Sequence, residues 1–78
     1  MSKLEKLKLK IKNGQSISFE EAETFLNKLG FKMRCPGSSH FIFWKEKYEK
    51  NVSLKKRSSL LPYQMRMLLE VLNDHEEK

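Results

Sequence analysis

The sequence predicts an α+β fold, in which a three-stranded antiparallel sheet lays one face on its helices. Three observations predict it. Apolar residues recur at helical spacing near both ends of the chain, and the period changes from 3.6 to 2 in its middle third. With 78 residues the chain closes about one hydrophobic core, so the elements must share it.

Residues 3–12 place Leu4, Leu7 and Ile11 at helical spacing, although Leu7, Leu9 and Ile11 also alternate as a strand would. We read a short helix, stopped by Asn13 and Gly14, which both tolerate the left-handed backbone in which helices commonly end. Ser18-Phe19-Glu20-Glu21 is a capping box: the Ser18 hydroxyl can accept from the Glu21 amide while the Glu21 carboxylate accepts from the Ser18 amide. A second helix therefore begins at Phe19. Phe19, Ala22, Phe25, Leu26 and Leu29 form its apolar face, and Gly30 ends it.

Phe31, Met33 and Cys35 then alternate with Lys32 and Arg34, as in a strand with one buried side. Pro36-Gly37-Ser38 is turn chemistry leading into the aromatic run His40-Phe41-Ile42-Phe43-Trp44, so the pair reads as a hairpin. Residues 45–50 read as a charged loop, followed by a short third strand over residues 51–54. Pro62 suits the first turn of a last helix, where a missing amide costs nothing. Leu61, Met65, Leu68, Leu69 and Leu72 are its expected buried stripe. The expected division is a basic N-terminal extension over 1–17, a domain over 18–73 and a frayed tail over 74–78.

Sixteen Lys and Arg against ten Asp and Glu give a net charge of +6, which points to a polyanion or an acidic protein as partner. The positive charge concentrates over residues 31–61, the strands and their loops. Phosphate contacts need cations clustered where a backbone can run, so Arg34, Lys55, Lys56 and Arg57 are the expected contacts, ahead of the mixed-sign loop 45–50. Trp44 can stack on a base or pack in the core; both readings stand at this point. No apolar run approaches the ~20 residues of a spanning helix, so no membrane partner is expected. A single cysteine excludes an internal disulfide and suits a reducing compartment, the cytoplasm.

One Cys and two distant His offer no ligand pair at a metal-binding spacing, so neither metal nor cofactor is expected. Phosphate-binding glycine loops and a Ser-His-Asp set are also missing. His40 remains. An unperturbed imidazole exchanges its proton near neutral pH, with a pKa of ~6.5. RNA offers a reaction that needs little more: a base removes the 2′-hydroxyl proton, the oxygen attacks the adjacent phosphate, and cations steady the developing charge. The residues alone leave His40 open to a purely structural role.

Three stretches, residues 19–31, residues 37–43 (Gly37-Ser38-Ser39-His40-Phe41-Ile42-Phe43) and residues 62–69 (opening Pro62-Tyr63-Gln64), resemble in their order the HicA family of bacterial toxins. The resemblance covers residues 18–73, and its most specific part is the Gly-Ser-Ser-His turn with an aromatic strand behind it. It implies a double-stranded-RNA-binding-domain-like α-β-β-β-α fold and a metal-independent endoribonuclease that cleaves mRNA. His40 corresponds to the family's catalytic histidine, with Arg34, Ser38, Ser39, Lys55, Lys56 and Arg57 as RNA-binding residues. Phe41 and Arg57 stand where many relatives carry a second histidine and a further basic or histidine residue. That departure implies that Lys55, Lys56 and Arg57 bind phosphate without sharing proton transfer. A HicB-type antitoxin is the implied protein partner, the toxin being a monomer when free and part of a hetero-oligomer when neutralised. The alternative is a non-catalytic RNA-binding module of the same fold, and a third reading is an adaptor for an acidic protein.

Overall fold

A computed structural model describes residues 2–35, 40–56 and 58–76. In chain order the elements are α1 (Lys3–Lys12), α2 (Phe19–Lys28), β1 (Lys32–Arg34), β2 (His40–Lys45), β3 (Tyr48–Lys55) and α3 (Pro62–Glu76). The strands form one antiparallel sheet in the order β1-β2-β3. This is the α+β class that the sequence predicts.

The ambiguity at the amino end resolves to a helix for a local reason. Ser2 and Glu5 form a capping box, with the Glu5 amide donating to Ser2 Oγ at 3.2 Å and the Ser2 amide donating to Glu5 Oε1 at 3.3 Å. Leu7 and Ile11, one turn apart, are both 2% exposed, whereas Leu9 is 45% exposed, which a strand reading would not allow. Gly14 has φ +76°, as the stop signal requires. At α2 the predicted box is present: the Glu21 amide donates to Ser18 Oγ at 3.2 Å and the Ser18 amide to Glu21 Oε1 at 3.1 Å. Lys10 Nζ reaches Glu21 Oε2 at 2.9 Å and ties α1 to α2.

The core joins all three helices to one side of the sheet. Leu7, Ile11, Ile17, Phe19, Phe25, Leu26, Phe43, Val52, Leu54, Leu68 and Leu72 are buried together. Leu7, Ile11 and Ile17 of the expected extension therefore lie in the same core as the expected domain, and the Leu60 amide donates to the Ile17 carbonyl at 2.9 Å across that boundary. Burying a Leu or Ile contributes about 1.5–3 kcal/mol, so losing α1 would remove a substantial share of a small domain's stability.

Several expectations are corrected. The expected loop over 45–50 is mostly strand: β3 starts at Tyr48, and Glu46-Lys47 is the whole turn, with Lys47 at φ +67°. Its charges hid a period of two, in which Tyr48 faces the helices and packs edge-on against Phe31 at 5.6 Å. In β1 only the preceding Phe31 is buried. Met33 is 41% exposed and Cys35 is exposed, because α2 packs on β2 and α3 on β3, the opposite edge, so that the helices do not cover this part of β1. In α3, Val71 and Gln64 are buried, while Leu61 and Leu69 are only half-buried. Gln64 Oε1 accepts from the Leu61 amide at 2.8 Å, half of a capping box that needs no hydroxyl.

Of the tail expected to fray, residues 74–76 are helical, and residues 77–78 lie outside the described residues. Asp74 accepts from Tyr48 Oη at 2.8 Å and from Lys50 Nζ at 2.9 Å, and Lys50 also pairs with Glu70 at 2.8 Å. The His75 ring packs at a tilt against Phe31 and Tyr48, with centroids at 5.6 and 5.1 Å, and Glu76 pairs with Lys12 at 2.9 Å. These contacts have a pH signature. The Lys50 ammonium and the Tyr48 hydroxyl hold the Asp74 carboxyl below its ordinary value. Lys12 does the same for Glu76, and Lys10 with the Ser18 amide does so for Glu21. The unfolded chain then binds more protons than the folded one in acid. That stability is full above the ordinary carboxylate range and is lost as pH falls through the lowered values. Burial and Asp74 push the Tyr48 hydroxyl up to about 12 from 10.0, so its contribution is full below pH 10.0 and lost as pH rises through about 12. A plot of Tm against pH is therefore expected to be flat near neutrality and to fall at both ends. A Tm constant from pH 5 to pH 2 would contradict it.

Candidate nucleic-acid interface

Alternation along β2 divides its side chains between two environments. Phe41 and Phe43 face the helices, with ring centroids 4.8 and 6.2 Å from that of Phe19. His40, Ile42 and Trp44 therefore occupy the opposite face, on which none of the described helices packs. Antiparallel pairing fixes their neighbours. Lys55 of β3 stands directly across from His40, and Ser53 across from Ile42. On the other side Arg34 of β1 is across from Ile42, and Lys32 is across from Trp44 with its Nζ 5.1 Å from the indole centroid.

His40 is exposed, and no hydrogen bond or ion pair to another described residue engages it. Arg34, Lys55 and Lys32 are exposed too. Direct cross-strand pairs have Cβ atoms ~5 Å apart and diagonal pairs ~7–8 Å, so Lys55 is the close cation to His40 and Arg34 the diagonal one on its other flank. A phosphate over the imidazole would thus have a cation on either side. None of these groups is tied up in an ion pair with another described residue, unlike Lys10, Lys12 and Lys50.

Of the expected site residues, the fold brings His40, Arg34 and Lys55 to one face. Lys56 is exposed but lies one residue beyond β3, where no ladder pairing fixes it on that face. Ser38, Ser39 and Arg57 lie outside the described residues. The fold adds Lys32 and Ser53, which sequence reasoning did not single out. Alternation already placed Lys32 with Arg34, but only the register shows what stands opposite. Among the described residues no group of three or more His, Cys, Asp or Glu side chains is placed to hold a metal ion. No helix among them is long and apolar enough to cross a membrane.

What the arrangement can do follows from its groups. An exposed imidazole can take a proton from a hydroxyl, and flanking cations can hold a phosphate and stabilise charge developing on it. Among known proteins, the chain matches no family model, no curated protein and no solved structure.

Proposed function

We propose that this chain is a metal-independent endoribonuclease that cleaves mRNA in the cytoplasm, the toxin half of a toxin–antitoxin pair. The observation that carries the reading is the position of His40. It is exposed on the middle strand of an uncovered, cationic sheet face, with Lys55 across from it and Arg34 diagonal to it. The resemblance of residues 18–73 to the HicA family points the same way.

In this mechanism the His40 imidazole removes the 2′-hydroxyl proton of the nucleotide at the scissile bond. The 2′ oxygen attacks the adjacent phosphorus, the bond from phosphorus to the 5′ oxygen breaks, and a 2′,3′-cyclic phosphate forms. The proton taken by His40 returns, through solvent on this open face, to the leaving 5′ oxygen. Lys55 and Arg34 hold the non-bridging oxygens while charge builds on them. Every proton and electron pair is accounted for without a metal.

A HicB-type antitoxin would neutralise the protein by covering the same face, and the free toxin would be a monomer. The purified protein is expected to cleave an unstructured RNA equally well with and without EDTA. Cleavage that disappears under chelation and returns with a divalent ion would overturn the metal-independent mechanism.

A further inference from the structure

We infer that Trp44, together with Lys32, forms a subsite that binds an unpaired base of the RNA at a fixed distance from the scissile phosphate. The inference rests on the ribonuclease reading and names a specificity-determining residue for it.

Four observations converge on Trp44. It shares a strand and a face with His40, and none of the described helices packs on that face. It is half-exposed, so the indole is neither lost in the core nor free to swing as an isolated side chain. Regular pairing between β2 and β3 breaks between Phe43 and Lys45, so no β3 residue stands directly across from Trp44. Such irregularities commonly re-aim a side chain beside a functional site. Finally, Lys32 Nζ lies over the ring at 5.1 Å, so that π face is covered by an exposed, movable side chain and not by the core.

A base can replace that ammonium. Stacking of a base on an indole is stronger than an exposed cation–π contact, and Lys32 loses nothing by moving to the phosphate of the stacked nucleotide. Only an unpaired base has a free face to offer, because bases in a duplex are already stacked on both sides. Trp44 lies four residue steps along the strand from His40, a rise of about 13 Å. That distance spans roughly two nucleotides of an unstacked strand or four of a stacked one. The subsite therefore selects single-stranded RNA and sets which phosphate comes to rest over His40.

Trp44 is the only tryptophan of the chain, so its fluorescence reports this subsite alone. The test uses the full chain carrying His40→Gln, to hold RNA uncut. It is titrated with an end-labelled unstructured 12-mer RNA, with the duplex of the same sequence, and with poly-glutamate. RNA binding is followed by anisotropy of the label and tryptophan quenching by intrinsic fluorescence. Single-stranded RNA is expected to quench the indole with the same midpoint as the anisotropy change. Trp44→Ala is expected to weaken single-strand binding about tenfold and to leave duplex binding unchanged, while Trp44→Phe retains most of the affinity.

RNA binding without quenching, or equal single-strand affinity in Trp44→Ala, would overturn the subsite and leave the ribonuclease reading intact. Equal losses for single strand and duplex would also overturn it, since base stacking cannot produce them. Quenching by poly-glutamate as strong as by RNA would assign the surface to an acidic protein instead. Absence of any RNA binding, together with absence of cleavage by the unsubstituted chain, would remove the ribonuclease reading itself.

Discussion

His40→Gln is expected to lower the rate of RNA cleavage by about 10²–10⁴-fold, the usual contribution of a positioned general base. Glutamine keeps much of the size and a hydrogen-bonding end but cannot take a proton near neutral pH. The fold should not notice. His40 is exposed at the start of β2, and no described residue depends on it for a hydrogen bond. A surface change of this kind shifts stability by no more than ~0.5 kcal/mol. RNA affinity should also survive, because Lys55, Arg34 and Lys32 supply the attraction to phosphate and remain in place. The expected result is thus a separation: cleavage lost, melting temperature and RNA binding kept. A protein that merely binds RNA would show no rate to lose, and its growth effects would be indifferent to the substitution. Cleavage by His40→Gln at the original rate would assign the chemistry to another residue.

The second large effect is on folding. Phe43 is fully buried between the sheet and α2, on the strand that carries His40 and directly behind the basic face. Truncation to Ala removes a large side chain from a packed site and leaves a cavity, which costs about 3–5 kcal/mol. A chain of this length has a total stability on the order of 4–12 kcal/mol. Phe43→Ala is therefore expected to lose a large share of that stability and to unfold at a much lower urea concentration, and Phe43→Leu to show a smaller drop in urea midpoint. Activity and RNA binding of Phe43→Ala should be lost together at its lowered urea midpoint, in contrast to His40→Gln, which loses activity alone. A Phe43→Ala protein with an unchanged urea midpoint would mean that the two sides of β2 are assigned the wrong way round.

Assignment of those sides was legible in the sequence. The alternation His40, Ile42, Trp44 against Phe41, Phe43 needed only the period of a strand, and the α2 capping box needed only four residues. The boundaries were less so. Tyr48 and Lys50 belong to β3, but a run of charges conceals the alternation, and Lys47 makes a left-handed turn without the Gly or Asn that usually announces one. Residues 74–76 looked like a solvated end because their partners, Tyr48, Lys50 and Lys12, are remote in sequence. Met33 was misplaced for the opposite reason: alternation gives the side of a sheet a residue faces, not whether a helix reaches that far. For the site, the residues alone offer His40 as a proton carrier on the face opposite Phe41 and Phe43, and Arg34 and Lys55 as cations of a charged stretch, while a catalytic role for His40 is what the family resemblance implies. The pairing of His40 with Lys55 and of Trp44 with Lys32 is a matter of register, which depends on turn lengths that a single sequence does not encode.

The proposed chemistry is tested most directly at the ends of the RNA it produces. Attack by a 2′-hydroxyl activated by His40 predicts fragments that end in a 2′,3′-cyclic phosphate and begin with a 5′-hydroxyl, in EDTA. It also predicts no cutting at a nucleotide whose 2′-hydroxyl is replaced by hydrogen. Fragments that carry a 5′-phosphate and a 3′-hydroxyl, or cleavage that continues at the 2′-deoxy position, would show water as the nucleophile and contradict the account.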